Sequence, residues 1–246
     1  IEPNKGIGFV RVECVDKEFN TQCNPRSGYC INHVRFVPVE LIDVAGLVPG
    51  AHEGKGLGNK FLDDLRQADV LVLVLDVSGS TNERGEAVPV GSHDPAKNIL
   101  FLEEELELWM LAIVENNWAK FARQPFASKN QVIDALSKGL SGLGVNALHI
   151  DLALSKSKLG EKQLNQWTDI DKRSFVHAVR LISKPIVIAA NKMDIGPSKD
   201  NLEKLQKTFP HLQIITCSSE AELKLKKADK AGIIEYVSGQ NDFVTK

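Results

Sequence analysis

No stretch of this sequence approaches the roughly eighteen consecutive apolar residues that a membrane-spanning helix needs. The opening IEPNKGIG has neither the basic nor the apolar region of a secretion signal. The location expected on these grounds is cytoplasmic, with no membrane partner. An excess of one charge is also lacking: 30 basic residues stand against 32 acidic ones, a net charge of -2, so there is no general pull toward nucleic acid and direct DNA binding is not expected. Four cysteines are too few for a disulfide scaffold in a chain of 246 residues. Internal repeats and low-complexity tracts are absent as well. The 43% hydrophobic content is enough for the core of one large α/β domain, or of a domain carrying a sizeable insertion.

What is present is an alternation of strand-like and helix-like segments. GIGFVRVECV and VRFVPVELIDV are rich in β-branched residues and flank the turn-rich NPRSG, which predicts a hairpin. Pro38 within the second segment implies a free edge or an irregularity, because proline cannot donate to a sheet ladder. A glycine-rich loop from Gly46 to Gly58 leads into the helix-like NKFLDDLRQA and then into VLVLVLDV, an apolar run suited to a buried parallel strand. Asp94 and Pro95 open a long amphipathic helix reaching Trp118, and shorter helices are expected over Gln131 to Leu140 and Asp171 to Ile182. Its stripe from Leu102 to Ile113, with Trp109 and Trp118, reads as helix core, and EEELE as a solvated face. PIVIAANKMD and LQIITCSS are further strands ending in polar residues, with helices over Asn201 to Thr208 and Glu220 to Ala231. These segments predict an α/β fold with a parallel-rich sheet and helices on both faces. The division expected is 1–97, a helical insertion over 98–183, and 184–246.

In such sheets ligands bind beyond the carboxyl ends of the strands. Asp43 to Gly46, DVAG, stands at one such end. There an aspartate can hold Mg²⁺ through a water, and a glycine N–H can approach a terminal phosphate with no Cβ in the way. An ordinary strand-to-loop turn would have the same letters. Asn191 to Asp194, NKMD, stands at another. The carboxylate of Asp194 can accept from both N1–H and the exocyclic amine of guanine, a donor pair that adenine lacks. Asn191 would brace the loop and touch the purine, and the stem of Lys192 would cover the ring face. The bland alternative is a polar turn. Thr216 to Glu222 ends the next strand, where a backbone N–H near Ser219 could meet guanine O6; Ser218 or Ser219 is equally a helix cap. The three stand in the order phosphate, base, base, which is the order found in P-loop GTPases. Cys14, Cys23 and Cys30, with His33 as a fourth ligand, could bind zinc. Their spacing is irregular and no C-x-x-C occurs, so reduced hairpin cysteines are the competing reading.

VELIDVAGLVPGAHEGKGLGNKFLDDLRQADVLVLVLDVSGS closely resembles the matching segment of YchF-type proteins among the Obg-related GTPases. IEPNKGIG resembles the end of their first switch, and NKMD, EAELKLKKADKAG and IIEYVSGQNDF continue the likeness. It is least clear between Leu102 and Asp171, where the family carries a helical insertion of its own. The cysteine hairpin and GSHDP resemble archaeal members. The resemblance implies a P-loop NTPase G-domain, GTP and Mg²⁺ as ligands, and the ribosome as a partner.

Two departures qualify this. Many bacterial and eukaryotic members have glutamate at the position of Asp194, a change that accompanies preference for ATP, so Asp194 predicts GTP. Leu47 stands where Ras-like GTPases place a water-orienting glutamine. The resemblance implies this same substitution, and hydrolysis then needs another group, a monovalent cation or a partner. His52 is a conceivable stand-in, or simply an exposed loop histidine. No G-x-x-x-x-G-K-[ST] occurs anywhere in the sequence. In the family that loop, its strand and its helix precede the first switch, and a TGS domain follows the position of Lys246. The expectation is therefore a G-domain without those elements, unable to hydrolyse GTP alone and part of a GTPase when whole. A nucleotide-independent protein-interaction module built on the helical insertion is the alternative.

Overall fold

Ten residues of β1 (Asn4–Glu13) lie antiparallel to ten of β3 (Val34–Asp43), in unbroken register from Asn4 opposite Asp43 to Glu13 opposite Val34. This computed structural model describes residues 4–44, 64–123, 126 and 128–246. The expected hairpin gains a third strand, β2 (Tyr29–Ile31), on the far side of β3, where it pairs with Val34 to Phe36 only. Tyr29 stacks on the buried Phe36 at 4.5 Å between ring centroids and meets Phe9 at 5.0 Å, so the short strand is held by aromatic packing. The ring of Pro38 points toward this side: its Cδ would lie 3.0 Å from a Cβ placed on Gly28. β2 has already ended there, so the missing N–H costs no ladder bond.

A second sheet is parallel, in the order β4-β5-β6, formed by β4 (Leu71–Asp76), β5 (Ile186–Asn191) and β6 (Gln213–Thr216). Ile186, Ile188 and Ala190 alternate along β5 and are buried on the same face as Leu71 and Leu75 of β4. They join one continuous core with the helices. The opposite face differs from expectation. Val72, Val74 and Ile215 are 57%, 64% and 51% exposed, so among the described residues the apolar run of β4 is covered on one side only.

Between β4 and β5 lie α1 (Ala96–Ala122), α2 (Lys129–Gly139), α3 (Ala147–Lys156) and α4 (Asp169–Ser183). Their starts follow from side-chain capping. Asp94 Oδ1 accepts the N–H of Ala96 at 3.0 Å, Ser128 caps α2, and reciprocal caps form between Asn146 and His149 and between Thr168 and Asp171. α1 continues past the expected end at Trp118. It buries Leu102, Leu106, Trp109 and Val114 in the common core and packs beside α4, with Trp118, Trp167 and Phe175 in an aromatic row at 5.4 and 5.2 Å. EEELE is not the solvated face anticipated. The buried guanidinium of Arg180 on α4 reaches Glu103 at 3.0 Å and Glu107 at 3.2 Å, and Glu105 is itself buried.

After β5 come α5 (Ser198–Thr208), β6, α6 (Ser219–Lys230) and a small ladder of β7 (Ile234–Glu235) with β8 (Val244–Thr245). Tyr236 ties this segment down: its hydroxyl donates to Glu222 at 2.6 Å and accepts the N–H of Gly239 at 3.0 Å. Arg11 of β1 donates to the carbonyl of Gly239, linking the first sheet to it. Among the described residues no helix is long and apolar enough to cross a membrane.

Candidate functional site at the ends of the parallel strands

At the end of strand β5 the last carbonyls are taken up by its neighbours: Cys217 N–H donates to the Ala190 carbonyl at 2.9 Å and Val77 N–H to that of Asn191 at 3.2 Å. The Asn191 side chain then faces the next loop. Its Oδ1 accepts the N–H of Ser219, the first residue of α6, at 3.0 Å. Lys192 adopts a left-handed conformation with φ of 63°, a geometry that costs a non-glycine residue on the order of 1 kcal/mol. Both of its ends are held. The Lys192 carbonyl accepts from Ser198 Oγ at 2.7 Å, while Nζ donates to Asp76 Oδ2 and Ser80 Oγ, each at 2.9 Å.

Asp194 is exposed two residues further on. The Ser218 hydroxyl donates to its carboxylate, and this bond, followed by one from its own N–H, holds the carboxyl below the usual range and keeps it charged. Ser218 also caps α6 by accepting the N–H of Ala221 at 3.2 Å. The structure thus brings Asn191, Lys192, Asp194, Ser218 and Ser219 together at the ends of β5 and β6. The Ser219 N–H, which the sequence placed near guanine O6, is engaged by Asn191.

Asp76, passed over in the sequence, is the buttress of this group. It lies opposite Asn191 in the β4–β5 register. Its carboxylate accepts from Ser78 N and Oγ, Ser80 Oγ and Thr81 Oγ1 at 2.6 to 3.0 Å, in addition to Lys192. Burial pushes its pKa up, but the donors of Ser78, Lys192, Thr81 and Ser80 outweigh that and hold it well below the carboxylate range. The available signal was a polar DVSGST directly after an apolar strand, at a carboxyl end.

Asp43 stands elsewhere. It ends β3 opposite Asn4, is exposed, and belongs to the antiparallel sheet. Its carboxylate offers the hard oxygen that Mg²⁺ favours, an ion that commonly takes one or two protein oxygens and completes its shell with phosphate and water. Gly46, Leu47 and His52 lie outside the described residues. The charged, acceptor-only Asp194 beside the start of α6 suits an edge bearing adjacent N–H donors next to a carbonyl, as guanine does. In the first sheet the sulfurs of Cys14, Cys23 and Cys30 converge to within 4.8 Å of one another, while His33 turns to Asp16, with Nδ1 2.9 Å from Oδ1.

Comparison with known proteins agrees with this architecture. Residues 11–105 match the family model of the 50S ribosome-binding GTPase, and residues 189–246 match that of the Obg-like GTPase YGR210-like, G4 motif-containing domain. An uncharacterized GTP-binding protein of Methanocaldococcus jannaschii is 46% identical over 243 residues, covering 99% of this chain and 60% of that protein. The ribosome-binding ATPase YchF of Mycoplasma genitalium is 27% identical over 208 residues, 84% of this chain and 51% of that one. The crystal structure of a GTP-binding protein from Pyrococcus horikoshii OT3 superposes with a TM-score of 0.78 at 33% identity, covering 95% of this chain and 63% of that chain. The fold is that of an α/β P-loop GTPase domain. Within that class, the chain is similar to the Obg-related, YchF-type GTP-binding proteins. It spans about 60% of the length of the curated relatives it matches.

Proposed function

We propose that this chain carries the guanine-selecting part of a GTP-binding protein, which when whole binds GTP with Mg²⁺ and hydrolyses it slowly. The observation that supports this most is the tie between Asn191 Oδ1 and Ser219 N–H, which fixes the two loops around the charged Asp194. In this reading Asp194 accepts from N1–H and the exocyclic amine of guanine. With Ser219 N–H taken by Asn191 and Ala221 N–H by Ser218, the N–H of Glu220 at the start of α6 is the donor left for O6. Lys192, anchored by Asp76 and Ser80, lays its stem against the purine. Asp43 would hold Mg²⁺ through water and Gly46 would sense the terminal phosphate. Bound Mg²⁺ neutralises charge developing on the phosphate oxygens. Leu47 has no atom that can take a proton, so activation of water falls to His52, a monovalent cation or a partner. The helices α1 to α4 form an insertion over 98–183 between the two parts of the G-domain, 1–97 and 184–246.

Base choice decides the matter, since relatives bear the names of both GTP-binding proteins and ATPases. Each mismatched partner at Asp194 costs about 1–3 kcal/mol. Equilibrium titration of the whole protein with fluorescent GDP, ADP and XDP should therefore favour GDP over ADP by about 10-fold or more. Asp194→Asn should move the preference to XDP. Equal affinity of the parent for guanine and adenine nucleotides would overturn the reading.

The match to a ribosome-binding family supports the ribosome as partner and the cytoplasm as location, and co-sedimentation of the whole protein with ribosomal subunits, with GTP or GDP present, tests both. A second reading, a nucleotide-independent interaction module, draws on Leu148 and Leu152, exposed one turn apart on α3. It predicts partner binding that survives Asp194→Asn unchanged.

A further inference from the structure

The segment joining β1 to β3 is built unlike the rest of the protein. It leaves β1 at Cys14 and returns at His33, and the Cys14 N–H closes its base by donating to the His33 carbonyl at 2.8 Å. Within it Val15, Phe19 and Ile31 are 65%, 73% and 41% exposed, whereas Cys14 and Asp16 are buried. The segment therefore hides a thiol and a carboxylate and leaves its large apolar side chains in water. Tyr29, stacked on Phe36, anchors only its far end; the stretch from Cys14 to Cys23 has no apolar core of its own, and short segments of that kind are ordinarily fixed by a cross-link or a metal ion. Its path is nonetheless specific: Asn20, Asn32 and His33 take positive φ values of 47°, 49° and 63°. Gly28 is also indispensable to the path, since a Cβ there would lie 2.0 Å from the Phe36 carbonyl oxygen.

That path gathers the sulfurs of Cys14, Cys23 and Cys30 to within 4.8 Å of one another, all three as free cysteines. Bonds of about 2.3 Å from zinc to sulfur place the sulfurs of a tetrahedral site about 3.8 Å apart, so only a small contraction separates this arrangement from a closed one. The Asp16 carboxylate lies beside this group, just outside the 4.8 Å cluster of the three sulfurs. Its Oδ2 accepts the Cys23 N–H at 2.7 Å and stands 3.7 Å from Cys30 Sγ, and its Oδ1 is oriented by His33 Nδ1. Arg35 Nη1 approaches Cys23 Sγ at 3.9 Å, bringing positive charge to a group of sulfurs and a carboxylate.

We propose that Cys14, Cys23 and Cys30, with Asp16 Oδ2 as the fourth donor, form a structural zinc site that pins this segment to the end of the antiparallel sheet. His33 is a positioning residue: it holds the Asp16 carboxylate from the outer side, as the partners of metal-bound groups commonly do. Zinc binds the three sulfurs as thiolates and releases their protons to solvent. Three thiolates and one carboxylate carry four negative charges against the two of zinc, and Arg35 offsets part of the remainder. The site is separate from the strand ends where the nucleotide reading rests, and neither depends on the other.

Metal analysis of the purified protein tests this, with one zinc per chain expected. Cobalt(II) should replace zinc and give thiolate-to-metal charge-transfer absorption together with the intense visible bands of tetrahedral cobalt. Cys14→Ser, Cys23→Ser and Cys30→Ser should each lose the metal, and Cys217→Ser should keep it. Asp16→Ala should retain the charge-transfer band and alter the visible bands, whereas His33→Ala should leave both in place. Should the serine variants fail to fold, the parent alone still decides: zinc should protect three of its four cysteines from alkylation, leaving Cys217 to react. A parent with no zinc and no cobalt spectrum overturns the site, as does iron in place of zinc or a disulfide among the three cysteines. Visible bands that respond to His33→Ala and not to Asp16→Ala overturn the assignment of the fourth donor.

Discussion

Asn191 Oδ1 accepts the backbone N–H of Ser219 at 3.0 Å, joining two strand-end loops that are 28 residues apart in the chain. A neutral hydrogen bond of this kind contributes about 1 kcal/mol net. Asn191→Ala should therefore speed amide exchange at Ser219 by roughly 5-fold, while amides in the middle of β5 keep their rates. Exchange followed by NMR is the measurement, and an unchanged Ser219 rate would show that the loops are held by something else.

Asp76 gathers more donors than any neighbour in the site. Asp76→Asn keeps the size of the side chain but turns an amine toward hydroxyls and an ammonium, so it should cost about 2 kcal/mol, or about 4–8 °C in Tm for a domain of this size. The pH dependence has a definite sign. Because the folded pKa of Asp76 is depressed, its stabilisation is fully present above the unfolded value of about 4 and is lost as pH falls below it. Denaturation midpoints of parent and variant should thus converge under acid conditions, and a gap that stays constant down to low pH would contradict the assignment.

Arg180 is 2% exposed and serves both Glu103 and Glu107, which themselves reach water. Arg180→Ala should destabilise the protein by about 3 kcal/mol, since it strands two partly buried carboxylates and opens a cavity. Arg180→Met fills the space, and combining it with Glu103→Gln should recover part of the remaining loss. Urea denaturation of the three variants gives the order, and a fully additive double variant would count against a shared network.

Gly139 ends α2 where a Cβ would lie 2.2 Å from Cζ of the buried Phe121. Alanine is the better helix former by about 1 kcal/mol, but the overlap should win, so Gly139→Ala should cost about 1–3 kcal/mol. Adding Phe121→Leu should cost less in that background than in the parent. A stabilised Gly139→Ala would mean that the ring shifts freely.

Much of the candidate base site was legible because it is local. NKMD follows its strand directly, and TCSSE carries its own helix cap, so strand-end placement came from pattern alone. Asp76 was missed because its importance lies in meeting Lys192 across the β4–β5 pairing, 116 residues away in sequence. The cysteines show the same limit. Their irregular spacing left zinc and plain reduced thiols as rival readings, and the path through Asn20, Gly28 and Asn32 is what brings the sulfurs together. Asp16 was not suspected at all, for an aspartate in a turn has no signature of its own.

The sequence by itself determined the alternation of the main strands and helices, the caps at Asp94 and Ser218, the family resemblance and the residues at the strand ends, since each depends on neighbours within a turn or a strand; β2 and α3 emerged only in the structure. Tertiary structure alone decided that Val72 and Val74 face solvent while Leu71 and Leu75 do not, and that the EEELE segment embraces Arg180. It also decided that Asp43 ends a strand of the antiparallel sheet, whereas Asp194 follows a strand of the parallel one. Periodicity specifies which side chains share a face; what comes to lie against that face depends on packing between segments far apart in the chain.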